Sequence, residues 1–348
     1  MPVTLSDVAR HAGVSEATAS RVVNGHRYVA AATRTRVEDA VRKLDYLPNR
    51  AARDLSTART ATVALLVHHA QYPAHGEGTF SSRVVDGVSR ALGAAGYDLL
   101  YVPVDDAAIG RIVRVTATRP GRSDGILVLG PTFPRSALVA LRDLDRPVVL
   151  IDNRLAGTDA VLADNHASSA ELARHLVGDH RYRRLVCFAG PAPWPSTAER
   201  IAGVRAAARE CGASVSVLRA AETTMRDGAR LAAAVMDAPP DAVLAVNDAM
   251  AIGALHRFRG TAAARVAVTG FDDIAWAQLV DPPLTTVAVD AHAMGAEAAR
   301  LLLRRMTSDD PSQPAHEVRV PATVRIRASC GCGDPARPLP DVGGGQAE

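Results

Sequence analysis

A chain of 348 residues, 48% hydrophobic and 22% charged, has the composition of a soluble globular protein and the length for one large body plus a small appendage. No run approaches the roughly 18 consecutive apolar residues of a membrane span, and the opening MPVTLSDVAR holds no apolar signal core, so no membrane partner is expected and the expected compartment is the cytoplasm. The net charge of +3 is unevenly placed: residues 1–60 hold ten Lys and Arg against six Asp and Glu, which puts the positive excess where a phosphate-binding surface would need it.

Thr4-Leu5-Ser6-Asp7 has the hydroxyl and carboxylate spacing of a capping box, and Leu5, Val8, Ala9 and Ala12 follow on one helical face. Gly13 breaks that pattern, Val14 can plug a small core, and Ser15 can cap a second helix from about 16 to 24. A third helix carries Val37, Ala40, Val41 and Leu44 on one side and ends near Tyr46 and Pro48. Two short helices joined by a glycine turn and closed by a third predict a helix-turn-helix domain over 1–48. The alternative, a plain three-helix bundle, leaves the second helix unexplained, because its polar side is built from short residues that let a backbone sink into a major groove. Arg21 can bond the O6 and N7 edge of guanine, Glu16 can accept from a cytosine amine, and Ala17 can pack on a thymine methyl. Thr4, Ser15, Thr18, Ser20 and Asn24 complete the candidate DNA contacts of this domain. Residues 49–60 are helix-compatible but too short to stand alone, and are read as a hinge that folds on DNA. Its candidate contacts are Asn49, Arg50 and Ala52, with Leu55 wedged between base pairs in the minor groove.

The strings TLSDVARHAGVSEATASRVVNG and TRTRVEDAVRKLDYLPNRAARDL resemble the LacI family of transcription regulators, and the resemblance runs to about residue 330. One departure is Ala30, where the family usually has a serine capping the third helix.

From residue 61 apolar strand-like runs alternate with alanine-rich helical ones. Strands are expected at 61–67, 98–104, 125–130 and 147–152, then at 184–190, 214–219, 242–247 and 265–270. Helices are expected at 82–95, 135–144, 167–177, 200–210, 225–236 and 249–258. This alternation predicts a two-lobed α/β body of parallel sheets covered by helices. The resemblance implies that this body is a sensor like the type I periplasmic sugar-binding proteins, spanning 61–330. Its proximal lobe would take about 61–160 and 290–318, and its distal lobe about 161–289 and 319–330. Residues 331–348, rich in proline and glycine, are expected to be a disordered tail.

Open parallel sheets bind ligands beyond the carboxyl ends of their strands, and there this chain is polar. Asp152 follows VVLI, Asn247 and Asp248 follow AVLAV, Asp272 and Asp273 follow VAVTGF, and Arg200 follows the loop at 190–197. Such groups can hold a polyhydroxylated ligand by paired hydrogen bonds, with Phe80, Trp194 or Trp276 as a flat apolar wall. Asp248 and Asp273 stand beside expected helix starts and are read as caps. The resemblance implies that Asp152, Arg200, Asn247 and Asp272, in VVLIDN, STAERIAG, AVND and GFDD, bind the effector, and extends that role to Phe80. Gly78-Thr79-Phe80-Ser81 departs from the usual loop of the family, so contacts on that side can differ.

No phosphate loop and no Gly-x-Ser-x-Gly elbow is present, so an enzyme is not expected. A transport binding protein would have no use for residues 4–55. His68, His69 and His75 are read as polar cleft lining rather than metal ligands. The four cysteines are read as reduced, and Cys330 and Cys332, with no second ligand pair nearby in the sequence, as plain tail; no metal or cofactor is expected. The resulting expectation is a homodimer that binds a near-palindromic operator in double-stranded DNA and is controlled by a small-molecule effector of the sugar class. Most relatives are repressors released by a sugar, some are aided by a corepressor, and catabolite-control relatives use a protein partner.

Overall fold

The computed structural model describes residues 3–23, 28–46, 60–68, 79–105, 110, 123–192, 194–308, 310 and 313–332, which separate into two compact units, Met1–Thr60 and Ala61–Glu348.

The first unit contains helices α1 (Leu5–Ala12), α2 (Glu16–Val23) and α3 (Ala31–Lys43). Thr4 and Asp7 form the expected capping box: the Asp7 amide donates to the Thr4 hydroxyl at 3.3 Å and the Thr4 amide to the Asp7 carboxylate at 3.0 Å. Gly13 ends α1 at φ 64°, a left-handed conformation that costs glycine no Cβ clash, and this sets the turn into α2. Val8, Ala9, Ala12, Ala19, Val22, Val37, Ala40 and Tyr46 bury one small core. Ala30 precedes α3 and offers no side-chain cap.

The second unit is doubly wound. Strands β1 (Thr62–His68), β2 (Asp98–Val104), β3 (Gly125–Leu129), β4 (Val148–Ile151) and β5 (Asp159–Ala163) join β11 (Glu317–Val320) in a parallel sheet of order β11-β5-β4-β3-β1-β2. Strands β6 (Arg184–Ala189), β7 (Ser214–Arg219), β8 (Ala242–Ala245) and β9 (Ala267–Thr269) form a second parallel sheet of order β7-β6-β8-β9. A short antiparallel pair, β10 (Thr286–Val289) and β12 (Ala322–Arg325), completes the strands described.

Between the strands lie α4 (Phe80–Ala94), α5 (Arg135–Arg142), α6 (Asn165–Arg174), α7 (Pro195–Glu210), α8 (Met225–Ala234), α9 (Asp248–Phe258) and α10 (Ala291–Thr307). Helices α4 and α10 touch backbone to backbone, since a Cβ on Gly87 would fall 2.0 Å from the His292 carbonyl oxygen. The same device brings α8 to α9 at Gly228.

Eight strands lie where the apolar runs place them. Strands β5, β10, β11 and β12 and helix α10 were not anticipated; the four strands are only four or five residues long and carry too little periodicity to register. Helix α7 starts at Pro195 rather than near 200, with the proline at the first turn where its missing N–H costs nothing. No helix among the described residues is long and apolar enough to cross a membrane.

Candidate ligand cavity and nucleic-acid interface

On α2 the apolar residues Ala19 and Val22 face the core, which leaves Glu16, Ala17 and Arg21 exposed on the other side. The Ser15 hydroxyl caps this helix, accepting from the Thr18 amide at 3.2 Å and lying 2.9 Å from the Thr18 hydroxyl. Thr4 stands exposed at the start of α1, and Ser20 is half-buried. Asn24, Asn49, Arg50, Ala52 and Leu55 lie outside the described residues.

In the second unit the loops after β3, β4, β6, β7, β8 and β9 and the start of α4 line a cavity of about 410 Å³, and all six expected ligand residues, Phe80, Asp152, Trp194, Arg200, Asn247 and Asp272, are among its lining. Each reaches it for a local reason. Asp152 follows β4 with φ at 56° and its amide tied to the Val161 carbonyl at 3.0 Å. Asp272, at φ 107°, donates its amide to Val287 at 2.8 Å, so a strand-like bridge holds an uncommon backbone conformation beside the cavity. Trp194 is the residue before α7, and it packs against Gly190, where a Cβ would lie 2.9 Å from its ring. Asn247 caps α9 by accepting from the Met250 amide at 2.9 Å and donates to the Thr223 carbonyl at 3.0 Å. It is therefore both a cap and a lining residue.

Arg200 is the electrostatic centre. Its Nε donates to Asn165 Oδ1 at 2.8 Å, its Nη1 donates to the Val246 carbonyl and lies 3.6 Å from Asp272 Oδ1, and its guanidinium stands 3.5 Å over the Phe271 ring. Burial pushes the Asp152 carboxyl up to about 6 and the Asp272 carboxyl up to about 7, even though Arg200 pulls both down. Asp152 Oδ2 accepts from the Ser196 hydroxyl at 3.4 Å, while Oδ1 has no hydrogen-bond partner among the described residues. Two carboxylates share one guanidinium here, and one carboxylate oxygen is left unsatisfied. That oxygen has room for a hydrogen-bond donor from the cavity.

Several expectations need correction. Asp248 is not a cap: it is fully buried, accepts from the Ile274 amide at 2.8 Å and the Thr286 hydroxyl at 2.5 Å, and latches α9 to the loop after β9. Gly270 makes room for it, since a Cβ there would fall 2.1 Å from its Oδ1. Burial and the neighbouring Asp272 raise its carboxyl well above the usual range. Asp273 instead pairs with Arg327 at 2.7 Å. His68 is buried edge-on against Phe133 and is not among the cavity-lining residues; His69 and His75 lie outside the described residues. Cys330, expected in a tail, is fully buried. The sequence reading missed Thr132, Ser196, Thr197, Glu222 and Thr223, which also line the cavity, and Asn165, which orients Arg200 from the unanticipated β5–α6 junction.

Residues 4–49 match the profile described as bacterial regulatory proteins, lacI family, and residues 173–330 match that of a periplasmic binding protein-like domain. The ribose operon repressor of Bacillus subtilis (strain 168) is 30% identical over 86% of this chain and 90% of its own. The HTH-type transcriptional regulator CelR of Thermobifida fusca is 33% identical over 88% of this chain and 92% of its own. The solved complex of a transcriptional regulator CelR with cellobiose superimposes with a TM-score of 0.68 at 29% identity, covering 94% of this chain and 99% of that one.

Proposed function

The chain belongs to the lacI family of bacterial regulatory proteins and is a DNA-binding transcription regulator; from that premise we propose that it is a repressor whose 61–330 body takes a sugar or related polyol in the 410 Å³ cavity. The observation that carries the ligand class is the Asp152, Arg200 and Asp272 cluster beside the aromatic rings of Phe80, Trp194 and Trp276. Vicinal hydroxyls donate to carboxylates and accept from a guanidinium, and the C–H face of a sugar ring packs on aromatic carbon. The names of the relatives, a ribose operon repressor and a regulator solved with cellobiose, support the same class.

In this reading the exposed side of α2 enters the major groove, with Arg21, Glu16 and Ala17 reading bases and the hydroxyls of Thr4, Ser15, Thr18 and Ser20 bonding phosphates. One such helix reads few base pairs, so two copies of the chain bind a near-palindromic operator as a homodimer, in the cytoplasm where the DNA is. Asn24, and the hinge through Asn49, Arg50, Ala52 and Leu55, extend the contact. The chain acts by coupled binding rather than by catalysis: ligand and operator affinities change each other by the same factor.

Calorimetric titration of the full chain with a panel of pentoses, hexoses, disaccharides and purine bases tests the ligand class. Saturable heat from a sugar, lost in Asp152→Asn, is expected. Heat only from purines, or sugar binding indifferent to Asp152→Asn, contradicts it.

A further inference from the structure

The described residues hold one group of His, Cys, Asp and Glu side chains with the compactness of a metal site, and it lies apart from the ligand cavity. His175 opens a π-helical turn, His175–Asp179, that continues α6, and His180 follows it. Cys330 ends a single 3-10 turn, Ala328–Cys330, and Gly331 at φ 98° turns the chain so that Cys332 comes back to the same place. The four ligand atoms lie within 4.8 Å of one another although about 150 residues separate the histidines from the cysteines.

Two of the separations already have the length of a tetrahedron's edge, and the others lie within 4.8 Å. Cys332 Sγ is 3.3 Å from His180 Nε2 and 3.6 Å from His175 Nε2. Metal bonds of about 2.0–2.3 Å at tetrahedral angles place ligand atoms about 3.3–3.8 Å apart. The surroundings are prepared as well. Asp179 Oδ2 lies 2.8 Å from His175 Nδ1, which fixes the tautomer that turns Nε2 inward, the carboxylate–histidine arrangement that supports metal ligands. Tyr182 stacks on His180 with ring centroids 5.1 Å apart and donates its hydroxyl to the Cys330 carbonyl at 2.9 Å, so one side chain braces both halves of the cluster. Ser329 anchors the cysteine turn further, its hydroxyl donating to the Val268 carbonyl at 2.6 Å.

We propose that His175, His180, Cys330 and Cys332 form a closed four-coordinate site for zinc(II) that fastens the C-terminal turn to the end of α6. Two thiolates and two imidazoles are the donor set of structural zinc, and they are too soft for magnesium or calcium. Binding releases the two thiol protons, and the two sulfur charges neutralise the ion, which suits a site whose Cys330 and His180 are buried.

The test is metal binding by the full chain, prepared under reducing conditions and stripped with a chelator. Cobalt(II) is added first, and zinc then displaces it. One equivalent of cobalt per chain is expected, with d–d bands of tetrahedral intensity and a sulfur-to-cobalt charge-transfer band, both bleached by zinc. Cys211→Ser, which changes the exposed cysteine, should keep the signal, and Cys332→Ser should abolish the two-sulfur spectrum. Asp179→Asn alters a side chain that is 70% exposed and should leave the fold intact while weakening zinc by about 10- to 100-fold. Absence of tetrahedral cobalt bands in the reduced, folded chain would overturn the proposal. So would a signal that survives Cys332→Ser, or zinc affinity unchanged in Asp179→Asn.

Discussion

On α2 the side chains of Glu16 and Arg21 stand in solvent over a small apolar core, whereas in the larger unit the buried Asp152 and Arg200 and the half-buried Asp272 gather around one cavity. The first arrangement costs the unbound protein little, because water serves the polar groups; in the proposed function DNA takes the place of that water. The second confines two carboxylates of raised proton affinity with a single guanidinium, so its polar groups depend on each other and on whatever occupies the cavity. A mutation at the helix should therefore change recognition without changing stability, and a mutation in the cavity should change both.

Arg200→Ala gives the sharpest contrast. It strands Asp152 and Asp272 and bares the Phe271 ring, and the loss expected for breaking a buried ion pair is about 3–5 kcal/mol of unfolding free energy. Denaturant titration measures that loss, and sugar binding by the variant should be undetectable in the same calorimetric panel. Arg21→Ala should leave the denaturation midpoint of the larger unit and its sugar affinity unchanged. It should also cost about 1–3 kcal/mol of discrimination between the operator and a sequence with its guanine replaced, read by fluorescence anisotropy. If Arg21→Ala destabilised the protein as Arg200→Ala does, the contrast would collapse.

Acidity separates the two units further. Folding raises Asp152 and Asp272 above their unfolded values, so between about pH 4 and 7 these groups bind more protons in the native chain than in the unfolded one. Their contribution to stability is full below the unfolded carboxylate range and is lost as pH rises through 6 and 7. Ligand binding has the opposite sign, because hydroxyls donate best to ionised carboxylates. Sugar affinity should fall by about 10- to 100-fold from pH 8 to pH 5.5, and the dependence should weaken in Asp272→Asn, which removes the carboxyl of higher proton affinity. The smallest effect belongs to the helical unit: Ala30→Ser supplies the missing cap of α3 and should raise its stability by about 1 kcal/mol, seen as slower hydrogen exchange at the first amides of that helix.

Local patterns and distant contacts account for what the sequence did and did not disclose. The capping box at Thr4, the glycine turn at Gly13 and the exposed side of α2 depend on residues three or four apart, and all were legible. Asp152, Asn247 and Asp272 were legible for a different reason, since a strand that ends in a polar residue points to the mouth of an open sheet. Asp248 misled because a carboxylate at a helix start looks like a cap. Its partners, the amide of Ile274 and the hydroxyl of Thr286, lie 26 and 38 residues away. Asn165 and the His175–Cys332 cluster were hidden by the same kind of separation. The Cys-x-Cys pair had no second ligand pair in sequence, and the fold supplies one.

The central claim, that cavity occupancy and operator affinity are coupled, is tested most directly by titrating a labelled operator with the full chain in the presence and absence of the sugar that binds the cavity. The account predicts a shift of about 5- to 150-fold in operator affinity, matched by an equal shift in sugar affinity when operator is present and absent in the Arg200→Ala variant. An operator affinity that is the same with the cavity filled and unfilled would contradict it.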